Sequence, residues 1–286
     1  MITPSRACGG LLLGLVAFVS LPGQQPDSPQ PDSPQQSTEQ DQRARQEMRA
    51  LTDVLTMTRV SPQPRRVERV ADPVFRFHSR TRDYSIGTLW AWGTSGRPAA
   101  IFKLFEYNGT WWHQFSATSA DPVVVERFGE TIWQPQSSRF AIKQLPDAPP
   151  PSDKAALRFR QMKTLARRFA AHQFWRTSTE NNVRFDLRAL PQPIHRYADE
   201  QAGIVEGAAF LFAHEIEPEL ILLIEAVKSG NAPSWQYGVA PLGSAEFHVE
   251  LDGEQVFSRD RAIPPADRNP NALYCVYGVK VNGDPK

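Results

Sequence analysis

The stretch AAIFKLFEYNGTWWHQFSATS, residues 99–119, decides how this chain folds. Asn108-Gly109 stands between two apolar, aromatic-rich arms, and this dipeptide best tolerates the positive φ angles of a type I′ turn. A β-hairpin with a two-residue loop is therefore predicted. Such a loop also sets the register, because directly opposed residues share a face. Phe102, Leu104 and Glu106 then share a face with Trp111, His113 and Phe115, and the other face carries Phe105, Tyr107 and Trp112. Asn108-Gly109-Thr110 also fits the N-glycosylation pattern, but the turn explains it without a glycan.

Upstream, residues 73–78 and 86–92 read as further strands, joined to the hairpin by the loop from Gly93 to Pro98. A meander is the economical topology. Downstream, the main helix is predicted between Pro151 and His172, with Ser152 as N-cap, Asp153 in the first turn and a stripe of Phe159, Met162, Ala166 and Phe169. Its other face, with Arg158, Arg160, Lys163, Arg167 and Arg168, reads as solvated surface, phosphate or lipid contact being the competing reading. Alternating or continuous apolar runs at 182–188, 208–214, 220–227, 235–240, 245–251, 255–258 and 273–281 add strands, with Asp252-Gly253 as another hairpin turn. Residues 220–225 suit a helix as well. The fold class expected is α+β, predominantly antiparallel sheet with one main amphipathic helix packed on a face.

The segment 1–23 places Arg6 before an uncharged apolar run from Leu11 to Val19, then Pro22 and Gly23, the order of a secretory signal. The run is too short for an ordinary membrane span, which needs roughly 20 apolar residues. It lacks a clean small-x-small cleavage site, so retention as an N-terminal anchor stays open. Residues 24–66 read as a disordered Pro/Gln-rich tether, with Pro-Asp-Ser-Pro-Gln at 26–30 and again at 31–35. It contains a short amphipathic helix over 44–59, on Met48, Leu51, Leu55 and Thr58. A single β-rich domain is expected over 67–286. These readings predict an exported protein that is periplasmic, envelope-associated or extracellular, touching membrane only through an uncleaved N-terminal segment.

With 32 Lys and Arg against 31 Asp and Glu, no overall field draws nucleic acid or anionic membrane, so no nucleic-acid partner is expected. Of the two cysteines, Cys8 lies in the signal segment, and Cys275 reads as a small buried residue on a strand.

Leu157-Arg158-Phe159-Arg160-Gln161-Met162, Leu190-Pro191-Gln192-Pro193-Ile194-His195-Arg196-Tyr197, Gly207-Ala208-Ala209-Phe210-Leu211-Phe212, Pro218-Glu219-Leu220-Ile221-Leu222-Leu223-Ile224-Glu225 and Trp235-Gln236-Tyr237 are the phrases that carry a resemblance, the Leu-Pro-Gln-Pro stretch being the most distinctive. On these, residues 72–258 resemble a functionally uncharacterised family of exported planctomycete bacterial proteins. The resemblance implies one extracytoplasmic domain and carries over no reaction, ligand or site residue.

Motifs for chemistry are sparse. His214-Glu215-Ile216-Glu217-Pro218 lacks the second His of a zinc-protease helix, and no Gly-x-Ser-x-Gly elbow, Walker loop or dinucleotide fingerprint occurs. No metal, nucleotide or other cofactor is expected. His78, His113, His172, His195, His214 and His248 are scattered. Glu106, Glu215, Glu217, Glu225, Glu246 and Glu250 are candidates for a glycosidase pair that one sequence does not rank. The most suggestive cluster is Tyr107, Trp111, Trp112 and His113 at the hairpin tip, with Trp90 and Trp92 nearby in sequence. It is a candidate platform for a sugar or a protein partner, in competition with core packing. The function expected is a non-catalytic module that binds an envelope protein or a glycan. The rival is a carboxylate-dependent hydrolase of cell-wall or extracellular polysaccharide.

Overall fold

Asn108 and Gly109 adopt φ of 50° and 67°, the left-handed pair a type I′ turn requires. The arms they join run antiparallel with Phe102 opposite Phe115, Leu104 opposite His113 and Glu106 opposite Trp111, the register predicted from the two-residue loop. The same turn chemistry recurs at Asp252 and Gly253, with φ of 51° and 89°.

The computed structural model describes residues 34–60, 62–79, 84–136, 139–175, 182–229 and 232–280. The chain divides into two compact units, 1–39 and 40–286, and of the first only the start of a helix is described. The expected export signal, 1–23, and residues 24–33 of the expected tether lie outside the described residues.

Helix α1 (Pro34–Asp53) leads to strands β1 (Leu55–Arg59), β2 (Arg65–Arg66), β3 (Phe75–Ser79) and β4 (Tyr84–Trp92). The hairpin follows as β5 (Ala100–Tyr107) and β6 (Thr110–Ala117), then β7 (Val123–Arg127), β8 (Glu130–Trp133) and β9 (Ile142–Gln144). Helix α2 (Ala155–Ala166) precedes β10 (Phe169–Trp175), β11 (Val183–Ala189), β12 (His195–Asp199), β13 (Ile204–His214) and β14 (Glu217–Ser229). The chain continues through β15 (Ala232–Pro241), β16 (Glu246–Leu251), β17 (Glu254–Arg259) and β18 (Tyr274–Lys280). The fold is α+β, mostly antiparallel sheet with one main helix.

Three sheets stack in layers. The middle one, ordered β18-β6-β5-β4-β3, contains the expected meander. One face of it, with Trp90, Trp92, Phe102, Leu104, Trp111 and Phe115, packs on the sheet β2-β1-β7-β8 and on Met48 of α1. The opposite face, with Phe77, Leu89, Ile101 and Phe105, packs on Leu211, Ile221 and Leu223 of the largest sheet. Burial on both faces explains why β5 is a nearly unbroken apolar run rather than an alternating one. The largest sheet is ordered β17-β16-β10-β11-β13-β14-β15-β9, with β12 beside β13. Its remaining face closes over α2 through Met162, Leu165, Phe210, Leu222, Ile224 and Phe247. This sheet curls until its edges approach, and Lys143 Nζ on β9 donates to the Val256 carbonyl on β17 at 2.7 Å.

Two helix expectations are corrected. The helix read over 44–59 instead spans 34–53, and Leu55–Arg59 is a strand because it pairs with β7 along its whole length. Met48, Leu55 and Met57 are buried, so the core begins upstream of residue 67. The main helix ends at Ala166, and Phe169–Trp175 is a strand held between β11 and β16, with Phe169 opposite Leu251. Sheet hydrogen bonds on both sides outweigh the helical periodicity, which the apolar residues of 159–169 satisfied locally. Lys154 holds the cap position, and Ser152 Oγ accepts from the Lys154 N–H at 3.2 Å. Arg158, expected in solvent, is buried and donates to Glu206 Oε2 at 2.8 Å. Residues 220–225 are strand.

Candidate functional site

The hairpin aromatics do not form one surface. Trp111 and His113 point into the core beneath the four-stranded sheet, where Trp111 Nε1 donates to Glu47 Oε1 at 2.9 Å. His113 stacks on Phe102 with centroids 5.4 Å apart, and its Nδ1 lies 3.3 Å from the Trp111 carbonyl oxygen. Burial holds this imidazole down at about 4, so it is neutral at physiological pH. Trp112 lies on the opposite face, half-buried, and Tyr107 is exposed. Trp90 and Trp92 are core residues. The candidate platform is thus split by the two-residue period of the strand.

The candidate carboxylates are likewise dispersed. Glu225 is fully buried and saturated, receiving Arg97 Nε and Nη2 at 2.7 and 2.6 Å, the Tyr197 hydroxyl at 2.7 Å and Gln236 Nε2 at 2.6 Å. Glu217 pairs with Lys103 at 2.8 Å, and Glu106 accepts the Gly109 N–H of the hairpin turn at 2.6 Å. Glu215 sits in the β13–β14 turn with φ of 55°, and Glu246 bonds His248 Nε2 at 2.9 Å. Among the histidines, His172 and His248 stack across β10 and β16 at 4.9 Å. Among the described residues, no group of three or more His, Cys, Asp or Glu could hold a metal ion. No described helix is long and apolar enough to cross a membrane.

What the tertiary structure does assemble is a cavity of about 760 Å³ at the seam of the curled sheet. Tyr237 and Val239 of β15 form one wall, and Val256, Phe257 and Arg259 of β17 the other. Tyr274 at the start of β18 and Ala117 at the end of β6 also line it, with Gln136, Arg139 and Phe140 from the approach to β9 and Lys143 on β9 itself. Asp260, Asn269 and Asn271 come from the 14 residues between β17 and β18. Backbone bonds hold these segments in place: Gln134 N–H donates to Pro270 O at 2.8 Å, Gln136 N–H to Asn271 O at 2.9 Å and Ala262 N–H to Ser244 O at 2.9 Å. Ser116 Oγ donates to Pro241 O, tying the middle sheet to the large one beside the cavity.

Arg259 is the unusual member. Its guanidinium lies between the rings of Phe247 and Tyr274, 5.1 and 4.8 Å from their centroids. Nη2 donates to the carbonyls of Gly243 and Ala245, the latter at 2.9 Å, while Nε and Nη1 are buried without a hydrogen-bond partner among the described residues. Burial brings this group down to about 10, opposed by the nearby Tyr274, Glu219 and Asp267. Burial also raises the Asp267 carboxyl and the Tyr274 phenol, whose oxygen lies 3.1 Å from Ser244 Oγ. None of the carboxylates or aromatics singled out in the sequence lines this cavity. The one signal for it was the long Pro-containing connection after β17, whose only regular structure among the described residues is a short 3₁₀ turn at Ala266–Arg268, since connections of about that length are uncommon unless they serve a function.

No protein-family profile, curated protein or solved structure matches this chain. Function therefore has to be argued from the site rather than from kinship.

Proposed function

We propose that this chain is a non-catalytic binding module, exported as its N-terminal segment suggests, that holds a saccharide in the cavity at the sheet seam. The observation that carries the reading is the wall composition: the rings of Tyr237, Phe257 and Tyr274 and the amides of Gln136, Asn269 and Asn271 line the same cavity. Aromatic faces stack on the C–H faces of sugar rings, and an amide both donates to and accepts from hydroxyls, as sugar hydroxyls require. The volume lies within the roughly 300–1,000 Å³ of small-ligand sites.

The test is titration of the purified chain with soluble oligosaccharides, followed by amide chemical shifts and calorimetry. Shifts concentrated on 136–143, 237–241 and 256–274 are expected, with affinity reduced about tenfold by Phe257→Ala or Asn271→Ala while circular dichroism is unchanged. Shifts confined to the tip around Tyr107, with these variants silent, would move the site to the hairpin. Release of new reducing ends during the titration would favour a polysaccharide hydrolase instead.

A further inference from the structure

The cavity is not neutral. Arg139, Lys143 and Arg259 line it against the single carboxylate of Asp260. Arg139, Lys143 and Asp260 are exposed, so their charges are largely screened, but Arg259 is held away from water by Phe247 and Tyr274. A buried guanidinium ordinarily has carboxylate or full hydrogen-bond compensation. Among the described residues the guanidinium of Arg259 hydrogen-bonds only two carbonyls, both through Nη2, and the Glu219 and Asp267 carboxylates favour its charge from nearby while Nε and Nη1 stay without a hydrogen-bond partner. Two donor nitrogens left without hydrogen-bond partners on a cation at the cavity wall are a deficit that a bound anion reduces. Lys143 adds a second positive charge at the seam, where its Nζ is already oriented by the Val256 carbonyl.

We infer that the saccharide taken by this cavity is anionic, with a carboxylate or sulfate group directed at Arg259 and Lys143 set at the seam. The inference rests on the saccharide reading above and adds the ligand's charge. A planar guanidinium pairs with such groups through directed, charge-assisted hydrogen bonds, whereas neutral hydroxyls leave its charge uncompensated. Brought down only to about 10, Arg259 keeps its charge at neutral pH and presents a cation to the ligand.

The experiment uses three acidic probes: oligogalacturonate, oligomannuronate and a hyaluronan tetrasaccharide, each beside its carboxyl-reduced neutral counterpart. Calorimetry on the full chain is expected to show at least one acidic probe binding ten or more times tighter than its neutral form. That preference should weaken in raised salt and disappear in Arg259→Gln. Because Arg259 is packed between two rings, the paired variant Arg139→Gln/Lys143→Gln, at exposed positions, supplies a readout that does not depend on refolding the site, with a smaller loss of preference expected. Equal affinity for acidic and neutral forms would overturn the anionic assignment and leave the saccharide reading standing. Binding of no probe in either form would overturn both.

Discussion

Lys103 Nζ lies 2.8 Å from Glu217 Oε1, and both side chains are about 1% exposed. The pair joins β5 of the middle sheet to the start of β14, the ammonium also donating to the Pro218 carbonyl at 3.1 Å and sitting 5.2 and 5.3 Å from the rings of Phe77 and Phe105. It is an ion pair built into the interface between two sheets.

Removing one charge of such a pair leaves the other buried without its counter-ion, at a cost of about 3–5 kcal/mol. Lys103→Met is expected to lower the unfolding free energy by that amount, read as a reduced urea midpoint at unchanged slope. Lys103→Met/Glu217→Leu should recover most of the loss, because the Coulombic gain of a buried pair roughly offsets its desolvation. A double variant no better than the single one would show that the pair contributes more than it costs.

His113 gives the chain an acid-sensitive core. Its folded value, about 4, lies below the unfolded value of about 6.5. A lowered imidazole contributes stability that is present above pH 6.5 and lost as pH falls toward 4, about 3 kcal/mol in all. His172 is lowered in the same direction by burial and by Arg184 and His248, whereas hydrogen bonds to Glu246 and Gln255 raise His248 and give it the opposite sign. Denaturation midpoints between pH 7 and pH 4 should therefore fall steeply in the parent and less in His113→Phe. Parallel profiles would remove His113 from the account.

Glycine positions separate strain from collision. Gly109 has φ of 67°, and a Cβ added there would have nothing within 4 Å, so Gly109→Ala meets only backbone strain of about 1–2 kcal/mol. A Cβ at Gly207 would fall 2.2 Å from the Tyr197 ring, whose hydroxyl bonds buried Glu225. Gly207→Ala is expected to destabilise more than Gly109→Ala in thermal melts. The reverse order would mean that Tyr197 yields without disturbing the Arg97–Glu225 cluster.

Cys275 is buried on β18, and burial pushes its thiol up to about 12. Alkylation of Cys275 by iodoacetamide at pH 8, read by peptide mass mapping so that Cys8 is scored separately, should be negligible in the native chain and rapid in denaturant. Native labelling at a comparable rate would contradict the placement of β18 against β6.

Local chemistry was enough for the elements that specify themselves. Asn108-Gly109 determined the turn, the loop length determined the register, and the period of two then divided Trp111 from Trp112. The buried run of β13 was legible as a strand, whereas 220–225 of β14 suited a helix as well, because a continuous apolar run covered on both faces has no period to separate the two. Residues 159–175 were not, since Phe159, Met162, Ala166 and Phe169 satisfy a helix stripe until β16 places Leu251 opposite Phe169.

Sequence by itself thus determined the strand-rich class, the hairpin and the neutrality of the whole chain. Only the tertiary structure decided which strands stack, which charges are buried and where a ligand fits. Lys103 and Glu217 are 114 residues apart, and Arg97 and Glu225 are 128 apart, with no local signal marking either as a partner. The cavity joins Tyr237, Arg259 and Tyr274 only because the largest sheet curls edge to edge. Turns and periods are interactions between near neighbours, which a sequence displays, whereas desolvation of Arg259 is a property of everything packed around it.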